Sequence, residues 1–282
     1  MDLRPTDATA KAPSAGTPAG RAYPFPPYPY RLTKGLTVWL AFKACAFALF
    51  AMGNILGGVL AFFVWDPWLL WNILGPASRG FGPVASRFRT KEREVWLTID
   101  DGPDPATTPR ILELLDAHSA KATFFVIGDQ VNRHPELAAE IVRRGHQLAN
   151  HSASHPCGSF WSAGPARLGR EIDRCTDAIV QAGAPAPAFF RAPVGIKTPF
   201  LHPQLAKRGM LLLAWSARGY DSLLSTDLAV RRIVAGIEPG AIVLLHDGRN
   251  DIGRAAVVER VLDHLARTGF RAVIPPRDSL CV

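Results

Sequence analysis

The chain has 282 residues, a formal net charge of +8 and 48% hydrophobic residues. That balance excludes a wholly disordered chain, a collagen-like fibre and a small disulfide scaffold, and it leaves room for a sizeable core. Four cysteines, none in a Cys-x-x-Cys pair, exclude a disulfide framework and a thiolate zinc site.

The charge is unevenly placed: +4 over residues 1–43, +3 over 44–93 and +1 over 94–282. A basic excess confined to the N-terminal third argues against nucleic-acid binding by the long C-terminal segment. It points instead to an acidic lipid headgroup layer.

Residues 1–35 are rich in Pro and Ala and show no hydrophobic period, which predicts a disordered tail. Within 36–75 lies the run Ala44–Trp65, whose only polar side chain is Asn54. A helix of that length rises enough to cross a hydrocarbon core of roughly 30 Å, so a single transmembrane anchor is expected there. Trp65, Trp68 and Trp71 would form its interfacial belt. The basic stretch before the run is too long for a cleavable signal peptide. Arg31, Lys34 and Lys43 on one flank, against Arg79 alone on the other, put the N-terminus in the cytoplasm and the large domain on the periplasmic or extracellular side of the inner membrane. Arg87, Arg89, Lys91 and Arg93, in the basic linker expected over 76–93, pull the other way, toward the cytoplasmic side.

From Glu94 to the end of the chain, short β-branched or aromatic runs alternate with helical patterns. Strands are predicted at Val95–Asp100, Ala122–Ile127, Gln147–Asn150, Ala188–Arg191, Leu211–Trp215, Ala241–His246 and Arg271–Ile274. Helices are predicted at Thr108–His118, Glu136–Arg144, Arg167–Gln181, Pro199–Arg208, Asp227–Ile237 and Gly253–Thr268. The alternation predicts an α/β domain over 94–282, a distorted (β/α) barrel of about seven parallel strands, closed or nearly so.

The informative residues fall at the C-terminal ends of these strands, where such barrels place active sites. The first strand ends in Asp100-Asp101-Gly102-Pro103, two adjacent carboxylates where a loop begins. The third runs into His151-Ser152-Ala153-Ser154-His155, and His at i and i+4 share one face of a helical turn. Two imidazoles with Asp101 as a hard oxygen ligand suit Zn²⁺, with Fe²⁺, Co²⁺ or Mn²⁺ as alternatives. Arg191 at another strand end needs a carboxylate partner if buried, and Asp100 is the natural one. His246 sits where the apolar strand Ala241–His246 opens into a loop, a place suited to proton transfer near neutral pH. His118, His134, His146, His202 and His264 lack partners at ligand spacing and are read as structural or solvated, and Cys157 as a bystander to the ligand set. Phe160 and Trp161 are read as a wall for a sugar ring or as packing.

Four stretches together, Thr98–Pro103, His151–His155, Arg191–Gly195 and Leu244–His246, resemble the motifs of the NodB-homology polysaccharide deacetylases, carbohydrate esterase family 4. The resemblance covers about Glu94 to Ile274, with Ile99 where the family usually has Phe. It implies metal-dependent hydrolysis of an N-acyl group from an amino sugar in a polysaccharide, oligosaccharide or lipid-linked glycan. By the same resemblance Asp101, His151 and His155 hold a divalent ion, zinc first and Co, Fe, Mn or Ni as alternatives. Asp100 acts as base, His246 as acid, Arg191 keeps Asp100 ionised, and Asp221 orients His246. Pro193, Val194, Trp215 and Arg218 are the expected substrate-binding residues. The fourth motif departs from the family pattern Trp-Ser-x-Asp-x-x-Asp-Trp: Trp215-Ser216-Ala217-Arg218-Gly219-Tyr220-Asp221-Ser222 carries Arg218 for the first Asp and Ser222 for the last Trp. Arg218 is therefore open to two roles, binding an anionic substrate group or pairing with Asp221. A non-catalytic glycan-binding module on the same fold is the alternative, disfavoured because all six key residues remain.

Overall fold

The computed structural model describes residues 27, 30–248 and 252–282. The tail predicted over 1–35 falls mostly outside them. The apolar run expected as one helix is broken. Helix α1 (Lys34–Ala51) ends at Met52, Gly53 takes the left-handed conformation (φ 77°), and Asn54 opens α2 (Ile55–Phe63) by accepting from Gly57 N at 3.0 Å. A glycine that ends a helix followed by an N-cap residue outranks uniform hydrophobicity, which specifies burial but not continuity.

The chain folds back into a hairpin that continues into α3 (Asp66–Leu74). Trp65 Nε1 donates to Gly35 O at 3.3 Å, and Asp66 Oδ1 accepts from Trp39 Nε1 at 2.9 Å and Lys43 Nζ at 2.6 Å. The two arms thus start and finish at one end of the hairpin. Its outer surface leaves Phe47, Leu56, Leu60 and Phe63 exposed. Two stretches, Lys34–Ala51 and Ile55–Leu74, are long and apolar enough to cross a membrane by length and composition. The one continuous helix expected over this run is two helices in the structure.

The segment expected as a linker over 76–93 joins the domain. It supplies β1 (Val84–Ala85), fully buried and paired with Leu212 and Leu213, and its continuation bridges Arg87 to Ala241 and Phe88 to Leu280. A two-residue strand has no alternation to read, so the charged residues around it dominated the sequence signal.

The remaining elements follow as β2 (Glu94–Asp100), α4 (Thr108–Ala117), β3 (Ala122–Val126), α5 (Gly128–Arg133), α6 (Pro135–Arg143), β4 (Gln147–Asn150), α7 (Pro165–Gln181), β5 (Phe189–Phe190), α8 (Leu201–Ala206), β6 (Leu211–Leu213), β7 (Ala217–Arg218), α9 (Thr226–Ala235), β8 (Ala241–His246), α10 (Ile252–Thr268) and β9 (Arg271–Ala272). The strand order is β1-β6-β5-β4-β3-β2-β8-β7, with β9 added on β2, and the pairings are parallel. The sheet is an open, barrel-like half-cylinder, and β7 and α5 are elements that the sequence reading missed.

Period-2 alternation positions the chemistry. In β2, Val95, Leu97 and Ile99 pack outward under α4 and α10, while Trp96 belongs to the interior cluster with Phe125, Leu213 and Ile242. Thr98 and Asp100 share the parity of Trp96, so the inward row ends in a carboxylate. In β8 the same parity carries Ile242 and Leu244 on to His246, which pairs in register with Asp100.

Candidate active site

Asp100 is 3% exposed, and Arg191, at the end of β5, is 0% exposed. Arg191 Nη1 donates to Asp100 Oδ1 at 2.7 Å and to Thr98 Oγ1 at 2.8 Å. Its Nε and Nη2 reach Leu213 O and Ala214 O at 3.2 and 3.1 Å. The guanidinium also lies 4.2 Å from the Phe125 ring centroid. Every edge of this buried cation is satisfied, as burial requires. Burial pushes the Asp100 carboxyl up, and the Arg191 charge and hydrogen bond oppose that rise.

Asp101 turns away from its neighbour because its φ of 79° reverses the chain. Its Oδ2 lies 3.7 Å from Arg254 Nη1, while its Oδ1 is buried without a hydrogen-bond partner. His151 Nε2 and His155 Nε2 stand 3.6 and 3.5 Å from that orphaned oxygen. One donor atom from each of the three residues lies within 4.8 Å of the others. His151 Nδ1 is bonded to Arg191 O at 2.9 Å, which commits its other nitrogen to the cluster. Burial lowers His151 to about 3, keeping the imidazole neutral and its lone pair available. The expected helical turn does not form. Ser152 (φ 69°) and His155 (φ 48°) are left-handed, and His155 N donates to Ser152 Oγ at 3.1 Å, so a bent loop brings the imidazoles together with centroids 4.7 Å apart. An orphaned carboxylate oxygen facing two imidazole nitrogens fits a divalent cation of the zinc type.

Across the cavity, Asp221 uses both oxygens on His246: Oδ1 is 2.7 Å from Nδ1, and Oδ2 accepts the backbone N–H at 3.0 Å. Burial would lower the His246 pKa, but the Asp221 hydrogen bond and charge, aided by Asp100 and Asp101, outweigh it and raise it above the usual 6.5. The raised value keeps His246 protonated, and its stabilising contact intact, to higher pH than an ordinary histidine; both are lost as pH rises through the folded-state pKa. In Asp221→Asn the burial effect prevails, so the alkaline limb of the kcat profile is expected to move to lower pH. A pH–rate profile with an unmoved alkaline limb would refute this role.

Val194 takes φ 50° within a tight turn whose Gly195 N and Ile196 N donate to Ala192 O and Pro193 O at 2.9 and 3.1 Å. Pro193 is buried behind that turn, whereas Val194 is 54% exposed and lines the cavity with Trp215 and Arg218. The cavity measures about 360 Å³ and also includes Asp100, Asp101, His151, His155 and His246. Of the expected site residues that do not line it, Arg191 and Asp221 stand behind it, bonded to Asp100 and His246. Larger hollows, of about 590 Å³ beside Phe270 and 600 Å³ beside Arg260, lack this convergence of groups, so chemistry rather than size identifies the site.

Sequence reasoning gave no role of their own to Arg254, Thr98 and Tyr220. Arg254 lies in α10 and donates to Asp247 O while standing near Asp101. Asp247 itself is held by Thr107 and Thr108, and burial raises it to about 6. Its place directly after His246 was the available signal.

The sequence profile described as polysaccharide deacetylase matches residues 88–211. The chain is 41% identical over 172 residues to a chitooligosaccharide deacetylase of Bradyrhizobium sp. (strain ANU 289), covering 60% of this chain and 75% of that protein. It is 31% identical over 197 residues to a peptidoglycan-N-acetylglucosamine deacetylase of Bacillus cereus, covering 68% and 91%. A family 4 carbohydrate esterase from Streptomyces lividans, solved with acetate, superposes with a TM-score of 0.60 at 32% identity, covering 67% of this chain and 96% of that one.

Proposed function

Because the chain belongs to the NodB-homology polysaccharide deacetylases of carbohydrate esterase family 4, hydrolases of amide carbon–nitrogen bonds, we propose that it removes an N-acetyl group from an amino sugar of a glycan. The observation that carries this reading is the buried Asp100–Arg191 pair set between the Asp101–His151–His155 cluster and the His246–Asp221 pair.

Asp101, His151 and His155 would hold a divalent ion, zinc first. When bound, the ion polarises the amide oxygen and makes water a better nucleophile. Asp100 accepts the proton of the attacking water, and Arg191 keeps that carboxylate oriented and favours its charged form. The turn at Val194 bounds the side of the cavity where the amide sits. With Nδ1 of His246 committed to Asp221, the proton given to the departing amine is the one on Nε2. The products are acetate and the free amino sugar.

The hairpin supports a membrane location. Its arms would enter the bilayer and return, leaving the N-terminal segment and the catalytic domain on one side. It is also tied to the site: Ile73 O accepts from Lys197 N at 3.0 Å, and Lys197 Nζ donates to Ser78 Oγ at 2.7 Å. This root holds the turn at Pro193–Gly195 close to the anchor, which favours a glycan at the membrane surface.

One preparation tests both readings. The full chain in vesicles should release acetate from N-acetylated chitooligosaccharides, and chelation or His155→Ala should reduce release by about 10²-fold or more. Release that survives both treatments would sink the metal-hydrolase reading. Protease added outside should reach tags at both ends of segment 34–74 or at neither, and one-sided cleavage would exclude the hairpin.

A further inference from the structure

Arg218 stands where the family motif has an aspartate, and its surroundings bear on its two expected roles. It pairs in register with Leu244, two residues before His246, and so borders the reacting end of the cavity. Asp221, bonded through both oxygens to His246, acts on Arg218 through its charge but makes no ion pair with it within 4.0 Å. Arg191 and Arg254 each have a carboxylate within 4.0 Å, Asp100 and Asp101. Among the described residues, Arg218 has none. Its Nε is buried without a hydrogen-bond partner. The guanidinium is held by stacking instead, 3.7 Å from the Tyr220 ring centroid and 5.1 Å from that of Trp215. Stacking fixes the plane of a guanidinium while leaving its in-plane donors free, the arrangement that binds a planar or tetrahedral oxyanion by a fork of hydrogen bonds. An unpaired cation in a partly desolvated wall needs a partner, and the substrate is what enters this cavity.

We propose that Arg218 forms an anion subsite in the catalytic cavity, binding an oxyanion, phosphate or carboxylate, carried by the amino-sugar substrate next to the acetamido group. This rests on the deacetylase reading and narrows its substrate class to anionic glycans.

The test compares the full-length wild type, Arg218→Gln and Arg218→Lys on a neutral N-acetylated chitooligosaccharide, the same oligosaccharide bearing a phosphate, and one bearing a neighbouring uronate. A lipid-borne glycosyl phosphate in micelles separates a lipid source of the charge from a soluble one. Arg218→Gln should lower the anionic-to-neutral ratio of kcat/KM by about 10-fold or more, chiefly through KM, and Arg218→Lys should recover part of it. Titration calorimetry with N-acetylglucosamine 1-phosphate against N-acetylglucosamine reads the same preference without turnover. A wild type that binds both alike, or an Arg218→Gln loss equal on neutral and anionic ligands, would overturn the subsite. Absence of turnover on every sugar would instead overturn the deacetylase reading, while calorimetry still decides the subsite.

Discussion

Asp100→Asn is expected to lower kcat by about 10²–10⁴-fold, the range that a positioned proton-transfer group supplies. The amide keeps an acceptor oxygen opposite Arg191 Nη1, so shape and packing change little. What it loses is the ability to take a proton from water. Acetate release at saturating substrate measures the effect. A variant within tenfold of wild type would show that Asp100 is not the base. Its neighbour separates the two carboxylates: Asp101→Asn should reduce activity through the orphaned oxygen facing His151 and His155, so added metal should recover part of that loss. Added metal should leave Asp100→Asn unchanged.

Arg191→Leu is expected to cost about 3–5 kcal/mol of stability at neutral pH, because it strands a buried carboxylate. The loss depends on pH in a defined direction. Burial already raises the Asp100 pKa, and Arg191 is the leading influence that holds it down. Without Arg191 the folded-state value rises further above the unfolded value of about 3.9. A group raised in this way stabilises the fold below its unfolded pKa, and the contribution is lost as pH rises through the folded pKa. The deficit of Arg191→Leu should thus be smallest at acid pH and grow toward neutrality. Urea unfolding at both pH values measures it. An equal small deficit at both would mean that the pair contributes little to the fold.

Much of the candidate site is legible in the sequence. Asp100, Asp101, His151, His155, Arg191 and His246 lie at strand ends, and hydrophobic alternation marks where those strands stop. The bonding partner of Arg191 was also inferable, because a buried cation demands a carboxylate. Less legible was whatever depends on backbone conformation. His151 and His155 meet through left-handed residues, not through the helical turn that their spacing implied. The break at Gly53 and Asn54 divides the apolar run into two helices where one was expected, since composition reports apolarity and not the path of the chain.

Local periodicity and residue type carry the alternation of strands and helices, the inward parity that ends in Asp100 and His246, and the identity of the candidate catalytic and ligating groups. Which of those groups touch is set by the packing of the whole domain. It set Asp221 wholly on His246, left Asp101 Oδ1 without a donor, recruited Arg254 from α10, and left Arg218 stacked on Tyr220 without a carboxylate among the described residues. Each of these contacts joins residues whose separation in space is set by the packing of the whole sheet and its helices, and a local pattern carries no record of that distance.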